Sequence, residues 1–455
     1  LGCAHAIHSA TKLMEHLIKG NSTVNLCALD ISKDIIQFLS LNFRKQNSFI
    51  FKLPMRTIFT TCDAEVIQHI LVSNHKNYRK DYGANKLKMA LGNGLLTNEG
   101  DSWFKQRRLA QPAFYKNRLE GFFETMNRIS IEHIQEWKHK NVTAVQMDAE
   151  MMQLTSKIVV ETLLGSDAAV QLNQIQSYIY RLQDYLVKCI RNPIYEIWSK
   201  YNGDKARFDK TIQQFDEILY QVINDKKKQA LGNDLLSMLM EARDIDTNEG
   251  MNDKQLRDEL LTIYVAGHET SGYALAWTMY NLCSHKDAYQ KAKAEVKNVM
   301  KNGVLTIDSF KELTYLKAVI DETLRLYPTA YIVGRESKEK DVINGMEIPE
   351  STVILISMYH LHRNPKYWQQ PDEFIPERFE GKNNPLNNSE AYYPFGGGPR
   401  MCIGFYFATM EITIVLAQLL YHFDFELDMT HKVEFEPLVT LKPKNGIKLH
   451  VKENL

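Results

Sequence analysis

Apolar residues recur every three to four positions from about residue 63 to residue 320, with polar residues between them, which is typical of amphipathic helices. One such stretch is unusually long. It begins near Asp253, which we expect to cap it, and no proline interrupts it until well beyond Ser284. Roughly 32 residues at 1.5 Å each predict a rod of about 48 Å. Its apolar face carries Gly267 and Thr270 at the midpoint, where larger apolar residues are expected.

Shorter patterns predict the remaining elements. A second helix is expected at about 315–327, where Pro328 ends it, and a last helix at about 402–422. No Gly/Ser-rich or Pro-rich linker and no internal repeat divides the chain, so we predict a single domain over residues 1–455 that is mainly α with small β-sheets. Strands are expected in a hairpin at 49–62 with Pro54 near its turn, and at 342–349, 352–358 and 446–451.

Composition and charge narrow the class of protein. The chain has 455 residues, of which 44% are hydrophobic and 24% charged, as in ordinary globular proteins. Its 55 Lys and Arg balance 55 Asp and Glu, which argues against nucleic acid as a partner. No apolar run is long enough to predict a transmembrane segment. The six cysteines form no CxxC pair, which predicts free thiols and a cytoplasmic location: Cys3, Cys27, Cys62, Cys189, Cys283 and Cys402.

The segment 393–404, YPFGGGPRMCIG, is the strongest candidate for chemistry. Its glycines and proline predict a tight, irregular loop, and a helix is expected to begin at or just after Cys402. Amide N–H groups and a helix dipole directed at a sulfur favour a thiolate, which is a suitable axial ligand for a metal in a flat macrocycle. Arg400 could meet an anionic group of such a cofactor. A turn with an inert, buried cysteine is the alternative interpretation of this segment taken alone.

Five residues of this loop match every fixed position of the pattern FxxGxRxCxG. With three further motifs in the right order, they make the chain resemble the cytochrome P450 family of haem-thiolate monooxygenases, specifically a soluble bacterial-type member, over nearly its whole length. The resemblance implies a triangular, mostly helical fold with a long central helix over haem b, and Cys402 as the iron ligand. The matching residues are Phe395, Gly398, Arg400, Cys402 and Gly404.

The middle of the long helix reads AGHETS over residues 266–271, which matches the family's oxygen-binding signature [AG]Gx[DE]T[TS]. Ala266 and Thr270 are four residues apart and face the same way. By resemblance, Ala266 and Gly267 lie against the cofactor, and Gly267 leaves room for dioxygen. Thr270 and Glu269 are the predicted catalytic pair, in which the hydroxyl holds dioxygen and a water and the carboxylate replenishes protons. A threonine bonded to the preceding helical turn is the alternative.

Two further motifs concern the frame of the site. Glu322 and Arg325 match the family's ExxR, and the resemblance implies a buried network that Arg378 completes and that braces the loop of Cys402. Trp103 and Arg107 match its WxxxR helix and, with Arg335 and Arg400, are the predicted donors to two haem propionates. A solvated basic helix surface is the alternative interpretation of the residues near Arg107.

The resemblance implies insertion of one oxygen atom of O2 into a C–H bond of a small organic substrate, as hydroxylation or as oxidative O- or N-demethylation. Only 53 residues follow Cys402 (455 − 402), too few for a flavin or iron–sulfur module, so we predict no fused reductase. NAD(P)H-derived electrons are expected from a ferredoxin with its reductase or from a flavodoxin-like protein. We expect such a donor to dock at Lys105, Arg108 and Lys116.

Three alternatives remain open at this stage: a peroxide-driven peroxygenase, a haem-thiolate isomerase or dehydratase, and a non-catalytic haem sensor. The intact Glu-Thr pair disfavours the first two. The substrate is expected to be apolar, but its identity is not predicted. Its pocket walls are expected from residues 82–96, the helix near Tyr178, Ala266, residues 329–333 and the loop near Leu438.

Overall fold

The computed structural model describes residues 34–454, apart from 54–55, 166–171, 230, 382–383 and 386–389. Cys3, Cys27 and Pro54 lie outside the described residues. Helices dominate, as predicted. In chain order they are α1 (Ile35–Phe43), α2 (Ala64–Gln68), α3 (Tyr82–Leu91), α4 (Gly100–Ala110), α5 (Lys116–Leu119), α6 (Phe123–His139), α7 (Met147–Leu164), α8 (Leu172–Arg191), α9 (Pro193–Ser199), α10 (Asp204–Lys227), α11 (Leu235–Glu241), α12 (Asp253–Ser284), α13 (Lys286–Val299), α14 (Thr314–Leu326), α15 (Met358–Leu361) and α16 (Phe405–His422).

The strands are short and pair into small sheets. They are β1 (Ser48–Leu53), β2 (Arg56–Thr61), β3 (Tyr78–Arg79), β4 (Ala144–Gln146), β5 (Ile332–Ser337), β6 (Asp341–Ile343), β7 (Met346–Ile348), β8 (Val353–Ser357), β9 (Phe423–Leu427), β10 (Phe435–Pro437), β11 (Leu441–Pro443) and β12 (Lys448–Glu453). The largest sheet has the order β1-β2-β8-β5-β3, in which only the β2–β8 pair is parallel. The predicted class, mainly α with small sheets, is confirmed.

The long helix is confirmed, with a correction at its start. Helix α12 has 32 residues. Its N-cap is Asn252, whose side-chain oxygen accepts a hydrogen bond from the N–H of Gln255 at 2.9 Å. Asp253, the predicted cap, is the first helical residue. The residue with extended backbone just before the helix is the one whose side chain reaches the free N–H groups, so the cap lies one position earlier.

Helix α12 packs closely on α7 because two of its residues lack side chains. A Cβ on Gly272 would lie 2.9 Å from Sδ and 3.2 Å from Cα of Met152, and one on Gly267 would lie 3.2 Å from Val159. The hydroxyl of Thr155 donates to the carbonyl of His268 at 2.8 Å across this interface. The glycines therefore allow the two helix backbones to approach beside the predicted oxygen-binding segment.

Three predicted elements differ at their boundaries. The strand predicted at 342–349 is the hairpin β6–β7, because Asn344 and Gly345 have φ of 49° and 78°, the geometry of a tight hairpin turn. The last helix begins at Phe405 instead of 402, because a 3₁₀ turn at Gly398–Arg400 and the loop of Cys402 precede it. The final strand is shifted to Lys448–Glu453, since Gly446 has φ of 78°.

Strand β12 joins distant parts of the chain, because it pairs with both β4 and β9. One large apolar cluster runs through α6, α7, α12, α14 and α16. Among the described residues, no helix is both long and apolar enough to cross a membrane.

Candidate cofactor and active site

A cavity of about 610 Å³ lies between the middle of α12 and the loop at 394–404. Its walls are mostly aliphatic, with charged side chains at one end. The structure therefore brings most of the predicted site residues to one cavity, which they line together: Ala266, Gly267, Thr270, Arg335, Phe395, Arg400, Cys402 and Gly404.

The loop that carries Cys402 is held by its own backbone. The Cys402 N–H donates to the carbonyl of Phe395 at 2.9 Å. Gly398 has φ of 67°, and a Cβ there would lie 1.9 Å from the carbonyl oxygen of Leu71, so only glycine fits. Gly396 also has a positive φ, and its missing side chain leaves open space at the cavity wall. The loop thus presents a thiol and bare backbone to the same cavity.

The Cys402 thiol is accessible from the cavity. Burial raises its pKa, whereas the backbone N–H of Gly404 and the guanidinium of Arg107 lower it. We expected a helix terminus at Cys402 to stabilise a thiolate, but the helix begins only at Phe405. The N–H of Gly404 and the guanidinium of Arg107 provide this stabilisation instead. A bound cation would be needed to overcome the cost of burial.

Arg107 lies elsewhere than predicted. Its Nη1 donates to the carbonyl of Met401 at 3.0 Å, and the residue is not part of the cavity wall. In this structure it therefore contacts the backbone next to Cys402, not the charged end of the cavity. The i, i+4 spacing to Trp103 places both side chains on one face of α4 without fixing how far each one reaches.

Trp103 also differs from the prediction. Its indole N–H donates to the carbonyl of Leu95 at 3.1 Å and is not directed into the cavity. The guanidinium of Arg400 lies 4.0 Å above the centre of the indole ring. Trp103 therefore orients Arg400 by a cation–π contact and is not itself a donor to the cavity here.

Three basic side chains meet at the charged end of the cavity: Lys80, Arg335 and Arg400. Burial, together with the charges of Arg335 and Arg400, lowers the pKa of Lys80 to about 7. Burial and the charge of Arg400 lower the pKa of Arg335 to about 10. Of these three side chains, only Arg400 forms an ion pair with another described residue, Glu99, at 3.1 Å.

This arrangement fits a flat, dianionic cofactor. Lys80 and Arg335 form no ion pair in the described part of the chain. Asp81 also lines the cavity and Glu99 lies nearby, so three cations outnumber the two carboxylates at this end. The same cavity offers the thiol of Cys402, the usual axial ligand of haem-thiolate proteins, and the glycines of its loop. A cofactor with two carboxylates would pair with the basic side chains, and a metal at its centre that binds thiolate would pair with Cys402.

The ExxR pair is the best-satisfied cluster in this part of the protein. Arg325 and Glu322 are fully buried, and Nε and Nη2 of Arg325 donate to the two Glu322 oxygens at 2.6 and 2.8 Å. The same guanidinium also donates to three carbonyls, those of His362, Pro371 and Glu373. The network implied by the motif is therefore present.

This network reaches towards the cysteine loop. Arg378 Nε donates to Glu322 at 3.3 Å, as the motif implied. The imidazole of His362 accepts the N–H of Tyr393 at 2.9 Å, just before the cysteine loop. The hydroxyl of Tyr392 donates to the carbonyl of Asp321 at 2.8 Å. Helix α14 thereby fixes the segment that leads to the cysteine.

The structure places only one residue of the predicted catalytic pair, Thr270, in the cavity wall. Thr270 lines the cavity, and its hydroxyl donates to the carbonyl of Ala266 at 2.6 Å, which is the back-bonded alternative. Glu269 does not line the cavity. Its carboxylate accepts the hydroxyl of Thr440 at 2.7 Å and the side-chain amide of Gln183. Adjacent helical residues point about 100° apart, so sequence adjacency did not place both groups in the cavity.

The predicted pocket walls are largely found in place. Residues of 82–96 and 329–333, with Ala266 and Leu438, line the cavity. Tyr178 does not, because its ring packs against Phe215 at 6.0 Å. The cavity is instead lined from α8 by Val187 and Ile190, which lie further along that helix.

Three polar residues of this region were not predicted from the sequence. Lys80 had no motif to mark it. Ser271 belonged to the AGHETS match but received no role. Glu411 is the only charged residue between Phe405 and Tyr421, a signal that could have been noticed in an otherwise apolar helix. Its carboxyl group is completely buried.

The basic face predicted for electron transfer is partly neutralised. Lys105 pairs with Glu249 at 2.6 Å, and Arg108 pairs with Asp244 at 2.5 Å and with Asp246 at 2.7 Å. Lys116 is exposed. The docking role stays a prediction for all three residues.

Fold and site together define a mainly helical protein with a cavity, between a cysteine loop and a long helix, that fits a planar anionic cofactor. The sequence model described as Cytochrome P450 matches residues 19–451. The chain therefore belongs to the cytochrome P450 family.

Relatives from bacteria and plants are similar to the chain over most of its length, and one of them is named as a hydroxylase. The chain is 30% identical to cyclooctatin synthase of Streptomyces melanosporofaciens, over 86% of each chain. It is 30% identical to cytokinin hydroxylase of Arabidopsis thaliana, over 86% of this chain and 78% of the relative, and 28% identical to cytochrome P450 97B2, chloroplastic, of Glycine max, over 98% and 88%. The protein is a haem-dependent monooxygenase. Because these relatives are bacterial and plant proteins of similar identity, the comparison does not single out the predicted bacterial type.

Proposed function

We propose that this monooxygenase uses haem b held by the thiolate of Cys402, with its carboxylates at Lys80, Arg335 and Arg400. The observation that carries the proposal is that the only thiol lining the described cavity shares it with three cations, which outnumber the two carboxylates beside them, Asp81 and Glu99. When bound, the haem supplies activation of dioxygen for insertion into a C–H bond. Phe395, Gly404 and the other loop residues give the cofactor an apolar floor.

We propose that the chain's own residues divide the remaining work. Thr270 exchanges its bond to the Ala266 carbonyl for one to dioxygen or water in the cavity, and so holds a proton beside the reacting atoms. Ala266 and Gly267 leave space in the cavity beside α12, because one has a small side chain and the other has none. The aliphatic walls exclude bulk water and favour an apolar substrate that lacks a charged group, because a buried unpaired charge is costly there. The role of Glu269 as a proton source remains a prediction.

The finer assignments belong to this proposal as well. Residues 1–455 are taken as one domain that receives NAD(P)H-derived electrons from a ferredoxin with its reductase or from a flavodoxin-like protein. A cytoplasmic location rests on the dispersed cysteines alone. Hydroxylation and oxidative O- or N-demethylation share the same first step, so both reactions suit this cavity.

The ligand assignment is tested with Cys402→Ser. The variant is expected to lose monooxygenase turnover and the carbon monoxide difference spectrum characteristic of a thiolate ligand. Cys283→Ser is the matched control and should retain both, because Cys283 lies in α12 away from the cavity wall. A thiolate-type spectrum in Cys402→Ser would refute the assignment.

The same preparation decides between the remaining functions. Product that requires a reductant and dioxygen supports the monooxygenase. Product with peroxide alone would indicate a peroxygenase, and product without either oxidant would indicate an isomerase. Bound haem without any product across an apolar ligand library would indicate a sensor.

A further inference from the structure

Two adjacent acids of α12 are buried outside the cavity wall, and both hold the same stretch of backbone. Glu259 is 0% exposed and Asp258 is 2% exposed. Glu259 Oε2 accepts the N–H of Leu95 at 3.0 Å, and Asp258 Oδ2 accepts the N–H of Asn93 at 2.9 Å. Burying a carboxyl group is costly, so two of them directed at one segment call for an explanation. We call this segment, residues 92–99, the bridging loop.

Two glycines let the bridging loop lie directly on α12. A Cβ on Gly92 would overlap the carboxylate of Asp258. A Cβ on Gly94 would overlap Oγ1 of Thr262 and would lie 2.7 Å from the carbonyl oxygen of Asp258. Gly92 also has φ of 63°, which glycine adopts readily. The loop therefore has one close fit against α12, and the two acids hold it there.

The C-terminal end of the bridging loop contacts the charged end of the cavity. Glu99 Oε1 accepts the backbone N–H of Lys80 at 2.8 Å and pairs with the guanidinium of Arg400 at 3.1 Å. The carbonyl of Asn98 accepts Nη1 of Arg400 at 2.9 Å. Two of the three cations at that end of the cavity are therefore attached to this loop.

Leu95 connects the acids of α12 to the same cations. Its N–H is held by Glu259, and its carbonyl accepts the indole N–H of Trp103 at 3.1 Å. The centre of that indole ring lies 4.0 Å from the guanidinium of Arg400. Peptide units are planar and rigid, so a shift of the Leu95 N–H also moves the carbonyl that orients Trp103.

Holding Leu95 is the one hydrogen-bonding task of Glu259, because its other oxygen has no partner among the described residues. Burial and the charge of Asp258 raise the pKa of Glu259 to about 8, although the Leu95 N–H lowers it. The carboxyl group is therefore neutral near pH 7. A neutral acceptor holds the loop without placing a second negative charge beside Asp258, and it leaves the positive charge of the cavity to a ligand.

We propose that Glu259 is a positioning residue that, through the bridging loop, sets where Lys80 and Arg400 meet the carboxylates of the haem. This inference rests on the haem site given under the proposed function. Glu259 itself touches neither the cavity nor the cations. Its effect on the cofactor passes through the backbone of Leu95.

Hydrogen exchange of the full-length, haem-loaded protein tests the hold on the loop. Glu259→Met removes the acceptor, so the amide of Leu95 should exchange about 10-fold faster, followed in peptides that cover residues 93–98. Glu259→Gln keeps a side-chain oxygen and should exchange like wild type. Unchanged exchange in Glu259→Met would refute the proposal. If Glu259→Met does not fold, Glu259→Leu carries the same measurements.

Two properties of the bound haem test the consequence for the cations. The resonance Raman bending band of the haem propionates reports the hydrogen bonds that these carboxylates accept, and it should shift in Glu259→Met. Transfer of haem to apomyoglobin should be about 10-fold faster in this variant, because charge-assisted hydrogen bonds are weakened. Glu259→Gln should restore both properties. Faster exchange at Leu95 with an unchanged Raman band and release rate would refute the positioning role.

Glu295→Met is the matched control. Glu295 also holds backbone N–H groups, those of Tyr315 at 2.7 Å and Leu316 at 2.8 Å, but it lies outside the cavity wall and the bridging loop. This variant should leave the propionate band and the haem release rate unchanged. Changes equal to those of Glu259→Met would show a general loss of stability and would refute the specific role of Glu259.

Two results separate the positioning role from the haem site itself. A wild-type protein that binds no haem refutes the proposed cofactor, while exchange at Leu95 in the haem-free chain still decides whether Glu259 holds the loop. A wild-type protein that binds haem, with the same propionate band in Glu259→Met, refutes the positioning role alone.

Discussion

Two of the completely buried glutamates, Glu322 and Glu411, differ in their hydrogen-bonding partners. Glu322 in α14 uses both oxygens: Arg325 donates to each of them, and the N–H of Ile375 donates to one at 2.8 Å. Glu411 in α16 has no hydrogen-bond partner among the described residues. Both are completely buried acids in helices, so the difference comes from the groups that the fold places beside them.

The comparison separates a fully paired carboxylate from a carboxyl group that stays protonated. A carboxylate that is fully paired is fixed in place by its partners. A carboxyl group that is buried without a charged partner keeps its proton to a higher pH. Glu322, in the brace behind the cysteine loop, is of the first kind, and Glu411 is of the second.

The largest effect is expected from breaking the brace. Arg325→Met would leave the buried Glu322 with only one cation, the more distant Arg378 at 3.3 Å, and should cost about 3–5 kcal/mol of unfolding free energy. The measurement is urea unfolding of the haem-loaded protein. Lys140→Met, which removes an exposed i, i+4 pair with Glu136, is the control and should be indistinguishable from wild type. Equal stabilities of the two variants would contradict the distinction.

The next effect is the pH dependence of stability to which Glu411 contributes. The pKa of Glu411 is raised from about 4.5 to about 8, so the folded state holds a proton that the unfolded state has lost within this window. Its contribution therefore destabilises the fold as pH rises from about 4.5 to about 8, by about 1.4 kcal/mol per pH unit.

Glu411→Gln should remove this slope. The stability difference between the variant and wild type should grow by about 2–3 kcal/mol between pH 6 and pH 8. Chemical unfolding at several pH values measures it. A difference that does not change with pH would mean that Glu411 is ionised in the folded protein.

A smaller effect is expected from changing the wall of α12 itself. Gly272→Ala would bring a methyl group to 2.9 Å from Met152 Sδ and push α12 away from α7. The cost should be about 1–2 kcal/mol, because a thioether can move aside. Gly121→Ala, where nothing lies within 4 Å, is the control for thermal unfolding. No loss of stability would contradict the close packing of the two helices.

The smallest effect concerns surface charge. Lys105 and Arg108 already pair with acids, whereas Lys116 has no ion pair among the described residues. Lys116→Glu is therefore expected to slow reduction by a ferredoxin more than Lys105→Glu does, and the difference should shrink at high salt. Stopped-flow reduction measures this, and equal rates in all variants would exclude this face as the docking site.

Local sequence determined much of this protein. The cysteine loop could be predicted because its glycines, Arg400 and Cys402 act within a few residues of one another. The same holds for Glu322 and Arg325, whose i, i+3 spacing puts both side chains on one helix face. The long helix followed from its periodicity, and its cap was wrong by one residue because several polar residues at its start could serve.

Tertiary structure decided where the remaining groups point. It turned the Trp103 indole to Leu95 and Arg107 to Met401, and it tied Glu269 to Thr440 and away from the cavity. It also brought Lys80 to Arg335, 255 residues further along the chain (335 − 80), and Ser271 to Glu411, 140 residues further (411 − 271). A periodic pattern fixes which face of a helix is apolar, but the partner of each polar side chain depends on how the elements pack.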